Sequence, residues 1–513
     1  MLAQNRNPKS YHTLVNPVNL RIPSGQFNTS LQENPWPKGL FFGGTSRLFH
    51  ASPNKYSEKN FDIEEIWGSI VPKFRWGGDN PRLLEDTVLI CMQHKLWTTY
   101  LMIKFLVEHY SLKPENVILA GKGYSTNLEV EQALKDLGCH VIPDQHPLVL
   151  GGGSEALHQN ASGAVDAALE RIKLVRVVRN VSILDDGFEL TPRITSDFFN
   201  NGINPFVYFI EQTTYGPKNR MFYTPPFPGF NVAESYAKLL EYPYVAEVAI
   251  EKLKDLIKNV QLQIGKKPTI GVVGFGRMGQ SVAAEMVERG YSVIVYEEKS
   301  AKRTSLKGIK HYKSLPVVIA YADVIFGTTG TDITANDEVL DTIVNSSKST
   351  TYVSLSSSDT EFNRLLALIQ EKTKKYGQIP DPYKEVLYVN EEGACIRVLG
   401  TPVNFLGKKL HSVTPWHIWA TRALLMCCIM AGAARPPELV QSAKIYMPDP
   451  DDQRKIIEAF FNMNPNHPLQ ASWAPLSEGQ KLRRIKKCSS GACIQPEKLA
   501  SHSQTPFSPG FGG

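Results

Sequence analysis

Several things are missing from this sequence, and each absence narrows its class. The longest apolar runs, such as Ala423–Ala434, stop short of the ~20 residues a membrane-spanning helix needs. The first residues, Met1–Arg21, are polar and hold no apolar stretch of the signal-peptide kind. A soluble, cytoplasmic chain with no membrane partner is expected. Cysteine is sparse and irregular, seven in 513 residues. Cys91, Cys139, Cys395, Cys427 and Cys428 lie in apolar runs and read as buried thiols, while Cys488 and Cys493 fall in a polar stretch. Neither a disulfide framework nor a metal site is expected. No charge of one sign dominates: 56 basic against 50 acidic residues leave +6. That excess is too small and too dispersed to argue for nucleic acid. No solenoid-type repeat is visible.

What is present is ordinary globular material, 42% hydrophobic and 21% charged. Short apolar runs alternate with segments of helical period, the pattern of parallel α/β sheets. Strands are expected at Thr87–Cys91, Asn116–Ala120, His140–Pro143, Val181–Asp185 and Phe206–Ile210. A second series follows at Thr269–Val273, Ser292–Tyr296, Val324–Gly327, Thr350–Leu355 and Glu385–Val389. Helices are expected at Trp97–His109, Asn127–Leu137, Ser235–Val260, Gly279–Glu288 and His417–Ala434. Gly216–Phe230, rich in proline and aromatics, reads as an irregular loop.

The resulting fold class is α/β with two domains, a Rossmann domain inserted in a second α/β domain. The expected limits are an irregular extension at 1–57, a substrate-side domain at 58–255, the Rossmann domain at 256–404, and a segment at 405–475 returning to the substrate side. Residues 476–513, with Lys481, Arg483, Arg484, Lys486 and Lys487, read as a disordered tail with a solvated basic patch.

One motif carries specific chemistry. Gly274-Phe-Gly276-Arg-Met-Gly279 fits G-x-G-x-x-G between a strand and a helix, and Glu297 ends the next strand roughly 20 residues on. Gly274 permits the tight turn, Gly276 lets backbone approach a pyrophosphate, and Gly279 lets helix and strand pack closely. The helix start offers unbonded N–H groups to phosphate oxygens. Glu297 suits ribose hydroxyls and would repel a 2′-phosphate, so NAD is favoured over NADP. Lys299, Lys302 and Arg303 nearby work against that preference.

Further segments resemble the S-adenosylhomocysteine hydrolase family in order and spacing, from about Asp86 to about Ala434. They are Tyr124-Ser-Thr-Asn127, Ile183-Leu-Asp-Asp-Gly187 with Leu190-Thr191, Glu211-Gln-Thr-Thr-Tyr-Gly216, Asn231-Val232 with Ser235 and Lys238, Gly327-Thr-Thr-Gly330, and Val403-Asn404 with His411. The resemblance implies NAD contacts at Thr213, Thr214, Gly274, Gly276, Arg277, Met278, Gly279, Glu297, Thr328 and Asn404. It implies catalytic roles for Asp186, Lys238 and His411, and a small-molecule ligand in a cleft between domains. It also exposes departures. Gln93, Lys95, Trp97, Gln212, Tyr242-Pro243 and Ser357 stand where the family has acid/base or adenine-side groups.

These losses disfavour ordinary adenosylhomocysteine hydrolysis. The expectation is an NAD-dependent enzyme that oxidises a hydroxyl of a changed nucleoside-like or polyol substrate. The alternatives are a non-catalytic NAD-binding sensor or scaffold and a true hydrolase. A 2-hydroxyacid dehydrogenase is set aside, because Arg397 and His411 show no obvious carboxylate partner. A homo-oligomer is compatible with all of these.

Overall fold

The computed structural model describes residues 62–146, 153–195, 198, 204–213, 225–298, 308–356, 360–374, 385–399, 413–441, 443–465, 467, 469–474 and 476–489. The expected extension at 1–57 lies outside them.

The first sheet is built from β1 (Thr87–Met92), β2 (Val117–Ala120), β3 (His140–Val141), β4 (Asn180–Asp185), β5 (Phe206–Glu211), β6 (Gly229–Asn231) and, from much later in the chain, β14 (Ile445–Tyr446). The second holds β7 (Thr269–Val273), β8 (Ser292–Tyr296), β9 (Ile309–Tyr312), β10 (Val324–Gly327), β11 (Thr350–Ser354), β12 (Glu385–Val389) and β13 (Cys395–Leu399). The helices used below are α1 (Ile63–Ile70), α2 (Trp97–Tyr110), α3 (Leu128–Asp136), α4 (Gly153–Leu174), α5 (Tyr242–Ile264), α6 (Arg277–Glu288), α7 (Leu315–Tyr321), α8 (Asp337–Val344), α9 (Asn363–Lys374), α10 (Pro415–Ala434), α11 (Pro450–Met463) and α12 (Glu478–Ser489).

Strand order in the first sheet is β14-β6-β5-β4-β1-β2-β3, every pair parallel. Parallel strands need helices on both faces, so their side chains are buried alternately in two layers. β1 shows this. Leu89 and Cys91 enter the core shared with α2, α10 and α11, while Val88, Ile90 and Met92 enter the core under α4. In the second sheet the order is β12-β13-β11-β10-β7-β8-β9, parallel except for the antiparallel edge pair β12–β13. These are two doubly wound α/β sheets, and the second has the Rossmann order.

In each sheet the chain winds outward from a first central strand in both directions. The reversal falls between β1 and β4 in one sheet and between β7 and β10 in the other. Loops leaving the carboxyl ends of those strands part to opposite faces and leave a crevice where ligands bind.

Four features depart from the sequence expectation. β6 lies in the stretch expected as loop, because Gly229 passes so close to Phe209 that a Cβ would sit 2.1 Å from the ring. α4 is unannounced, since its glycine-rich start and mixed faces hide its period. α5 runs unbroken across the expected boundary at 255/256. The expected disordered tail begins as α12, whose Ile485 is fully buried and whose Lys481 pairs with Glu458 of α11 at 2.8 Å. The buried face of α12 came from so few apolar residues that charge masked it. Residues 490–513 lie outside the described part.

α10 is long and apolar enough to cross a membrane by length and composition, but 89% of its apolar window is buried inside the protein. It serves as the central helix over the first sheet. Tyr208 on β5 donates to its Ile429 carbonyl at 2.7 Å, and Gly432 leaves room for the same tyrosine ring.

Candidate functional site

The glycine turn follows β7 as the sequence expects. Gly274 has φ +91°, a left-handed conformation that favours glycine. A Cβ on Gly279 would lie 2.1 Å from the Gly274 carbonyl oxygen, so that position admits no side chain without movement. Gly276 differs: a Cβ there would meet nothing within 4 Å. It is also the N-cap of α6 and makes no side-chain cap bond, so no side chain covers the first-turn N–H groups. An open approach over an uncapped twelve-residue helix suits a pyrophosphate. Glu297, at the end of β8, accepts from the Phe275 N–H at 2.7 Å, which fixes its carboxylate beside the turn.

Other expected cofactor contacts are occupied differently. The Thr328 hydroxyl donates to the Gly274 carbonyl at 2.8 Å and so braces the turn from β10. Arg277 extends away from the turn and donates to the carbonyls of Ala233 at 3.2 Å, Glu234 at 3.3 Å and Ser235 at 3.5 Å. Met278 packs on the core of the first sheet. Thr213 donates from its N–H at 2.8 Å to Glu211. Thr214, Asn404 and His411 lie outside the described residues.

The second cluster sits at the carboxyl ends of β1, β2, β4 and β5, around Asp186, which is 1% exposed. Lys122 donates to its Oδ1 at 2.8 Å and Gln212 Nε2 to its Oδ2 at 2.5 Å, with His94 Nε2 at 3.4 Å from Oδ2. Burial alone would raise the Asp186 pKa, but the charge and hydrogen bond of Lys122 lead the effects that outweigh it and hold the carboxyl below its usual range. His94 is pushed down to about 3, chiefly by burial and then by Lys122, Arg422 and Lys238, against the pull of Asp186. It is neutral at physiological pH. His94 Nδ1 lies 2.6 Å from the Ser125 hydroxyl, which donates to the Lys122 carbonyl at 2.9 Å. The hydroxyl has one proton, so we assign the ring proton to Nδ1 and make Nε2 the acceptor nitrogen.

Lys238, on the short 3-10 turn Ala237–Leu240, pairs with Glu241 at 2.5 Å, and Glu241 also accepts from Thr421 of α10. Arg422 of the same helix donates to Gln93 at 2.8 Å and to Thr98 at 3.4 Å. Lys95 is spent on structure. It joins Glu131 at 2.8 Å, Asp144 at 2.9 Å and the Ile142 carbonyl at 3.0 Å.

Of the expected catalytic residues, then, Asp186 sits in this cluster, and Lys238 is close enough to act on the charge of both Asp186 and His94. His94 and Lys122 were missed. The sequence reading stopped at Gln93, one residue short, and Lys122 follows β2 with no motif around it. A usable signal was the position itself, since polar residues just past buried parallel strands face the crevice. Arg397, which the sequence leaves without an obvious partner, pairs with Glu385 at 2.9 Å across the edge strands β12 and β13 of the second sheet. A His–carboxylate pair does exist, His94 with Asp186 at the strand ends of the first sheet.

The fold and the glycine turn define a protein with an NAD-binding domain of dehydrogenase type. Comparison agrees: residues 269–376 match the family model described as the NAD binding domain of 6-phosphogluconate dehydrogenase. No curated protein matches the chain. Among solved structures, one similar chain is the NADPH-dependent glyoxylate/hydroxypyruvate reductase of Sinorhizobium meliloti, 13% identical over 50% of this chain and 80% of that one, TM-score 0.30. A second is the NAD-dependent formate dehydrogenase of Staphylococcus aureus, 16% identical over 54% and 89%, TM-score 0.31. A third is a D-isomer specific 2-hydroxyacid dehydrogenase from Xanthobacter autotrophicus, 13% identical over 48% and 80%, TM-score 0.27.

The matched family model overturns the resemblance to S-adenosylhomocysteine hydrolase, and the structures found alongside it are reductases and dehydrogenases. The geometry explains why the resemblance misled. Asp185 accepts from the backbone N–H groups of Glu189, Leu190 and Thr191, and Glu211 from those of Gly187, Phe188 and Thr213. Asp185 and Glu211, the first acids of the Asp-Asp-Gly and Glu-Gln-Thr-Thr stretches, thus close loops at the ends of parallel strands, a role that belongs to the fold, while Asp186 and Gln212 beside them join the cluster.

Proposed function

We propose that this chain is an NAD-dependent oxidoreductase that oxidises a hydroxyl-bearing carbon of a small polar, polyol-like substrate, or reduces the corresponding carbonyl. The observation that carries it is the Asp186 cluster: a neutral buried imidazole beside a carboxylate held ionised by a lysine, at the switch point of the first sheet. Arg277 ties the cofactor turn to residues 233–235, three residues from Lys238, so turn and cluster are physically linked.

Bound NAD would supply the hydride acceptor for the carbinol carbon. Gly274, Gly276 and Gly279 would hold its pyrophosphate and Glu297 its ribose. His94 Nε2 receives the hydroxyl proton, and the imidazolium so formed faces Asp186 within 3.4 Å. Lys122 and Gln212 fix the carboxylate in place for that moment. Lys238 and Glu241 supply a charged pair at the border of the site.

The test is reduced-nicotinamide absorbance on mixing the purified protein, NAD and hydroxylated compounds. Asp186→Asn should lower turnover by about 10²–10⁴-fold, the usual worth of a proton-transfer partner, with NAD affinity by calorimetry unchanged. Equal turnover in the variant, or no NAD binding by the parent protein, defeats the reading. NAD binding with no absorbance change toward any hydroxyl compound would instead favour a non-catalytic binding role.

A further inference from the structure

An edge strand carries backbone N–H and C=O groups that no neighbouring strand answers, and most proteins blunt such edges against pairing. The four edges of the two sheets differ in this respect. β3 and β14 are two residues long. β9 carries the exposed Lys310, a charge that discourages a further strand. β12 has none of these devices. It runs as Glu385-Val-Leu-Tyr-Val389, without lysine, proline or glycine, and exposes Leu387 at 43% and Val389 at 51%.

The hairpin fixes which groups face outward. The Asn390 N–H donates to the Ala394 carbonyl, so these two residues form a hydrogen-bonded pair. By alternation, Val386 with Val398 and Tyr388 with Ile396 are bonded pairs too. Glu385, Leu387 and Val389 fall between them. Their N–H and C=O groups point away from β13, and no backbone partner meets them among the described residues.

The strand is also its own complement. With two copies antiparallel and Leu387 opposite Leu387, Val386 meets Tyr388 twice, a β-branched–aromatic pairing that stabilises sheets. Glu385 meets Val389, so no like charges are opposed, and its carboxylate already has Arg397 at 2.9 Å. Sliding one copy two residues toward the hairpin would instead set Glu385 against Glu391. The strand is held ready for this. Val386 packs in the core with Leu365, Leu366 and Ile369 of α9, and Lys372 of that helix stands over the Tyr388 ring at 5.7 Å.

We infer that two copies of this chain associate in solution by pairing β12 with β12, antiparallel about Leu387, which joins their nucleotide-binding sheets into one. This goes beyond the oxidoreductase reading and does not depend on it. About six backbone hydrogen bonds form across the joint. The two-fold axis consumes both free edges, so assembly stops at two. A five-residue joint is small against the ~1,200–2,000 Å² of a standard interface, so the dimer is reversible, dissociating at roughly 1–100 µM.

The experiment is sedimentation velocity of the full-length protein across that concentration range, with hydrogen exchange of the peptide that contains β12. The sedimentation coefficient should rise from monomer to dimer, and exchange at β12 should slow in step. Leu387→Lys sets like charges face to face on the axis and should weaken the dimer at least about fivefold. Val389→Lys sets the same charge opposite Glu385 and should keep dissociation within about threefold of the parent. Both positions are exposed, so parent-like circular dichroism is expected of both variants and shows that they fold. A monomer at every concentration overturns the inference. So does a dimer indifferent to Leu387→Lys, an equal loss in both lysine variants, a series of larger species, or a dimer without protection at β12.

Discussion

Three glycines in one turn do different work, and substitution separates them. At Gly279 an added Cβ collides with the Gly274 carbonyl, so Gly279→Ala should lose about 1–3 kcal/mol of stability through forced backbone shifts. At Gly276 an added methyl group meets no protein atom, so Gly276→Ala should melt like the parent yet bind NAD at least about tenfold more weakly, because it fills the space the pyrophosphate needs. Thermal unfolding and calorimetry on the two variants check this; equal NAD affinity in Gly276→Ala would remove the pyrophosphate from that position. This turn was legible in the sequence because backbone geometry demands glycine at fixed spacing. The Asp186 cluster was half legible. Asp186 and Lys238 came with recognisable neighbours, whereas His94, Lys122 and Gln212 come together only when four strand ends converge. No spacing along the chain encodes that convergence.

Elements of regular period and full burial were read closely. β7, β8 and β10 keep the limits expected of them, since a buried parallel strand is a short apolar run between polar stops, and the antiparallel edge strand β12 keeps its limits too. β9, β13 and β14 were not read. β9 and β14 are edge strands; Lys310 and His311 interrupt the apolar pattern of β9, and β14 is only two residues long. β13 hides Arg397 in its middle, neutralised by Glu385 on β12, a pairing that only the antiparallel register reveals. At this scale the joint between the sheets is testable. Arg277 sits on α6 but bonds three carbonyls beyond β6. Arg277→Leu should cost about 1–3 kcal/mol in denaturant unfolding, the worth of charged hydrogen bonds to backbone. NAD affinity should fall less than about tenfold, because the guanidinium faces away from the cofactor turn. A collapse of NAD affinity with stability intact would instead make Arg277 a phosphate ligand.

Across the molecule, buried histidines couple folding to pH. His94 is pushed down to about 3, and His417 and His467 to about 4, by burial above all. Unfolded imidazoles take protons below pH ~6.5. The native ones refuse them until their lower pKa is reached. Between those limits the unfolded chain holds more protons, so each histidine's contribution is complete above pH ~6.5 and declines as pH falls, by up to about 1.4 kcal/mol per unit. Glu189, raised to about 7 by burial and Asp185, acts in the opposite sense. His467→Gln should therefore flatten the pH dependence of unfolding free energy between pH ~6.5 and ~4 by roughly that slope. An unchanged slope would mean that His467 already titrates normally in the native state.

The two sheets differ in how their strands are spaced along the chain. The second is contiguous, Thr269 to Leu399, while the first waits for β14 at Ile445–Tyr446 to flank β6 and for α10 to cover its core. During synthesis, then, the nucleotide-binding half has all its strands out of the ribosome first, while the earlier-made half still exposes a greasy, lidless face. Nascent chains stalled between those points should call on chaperones for the older segment and not for the younger.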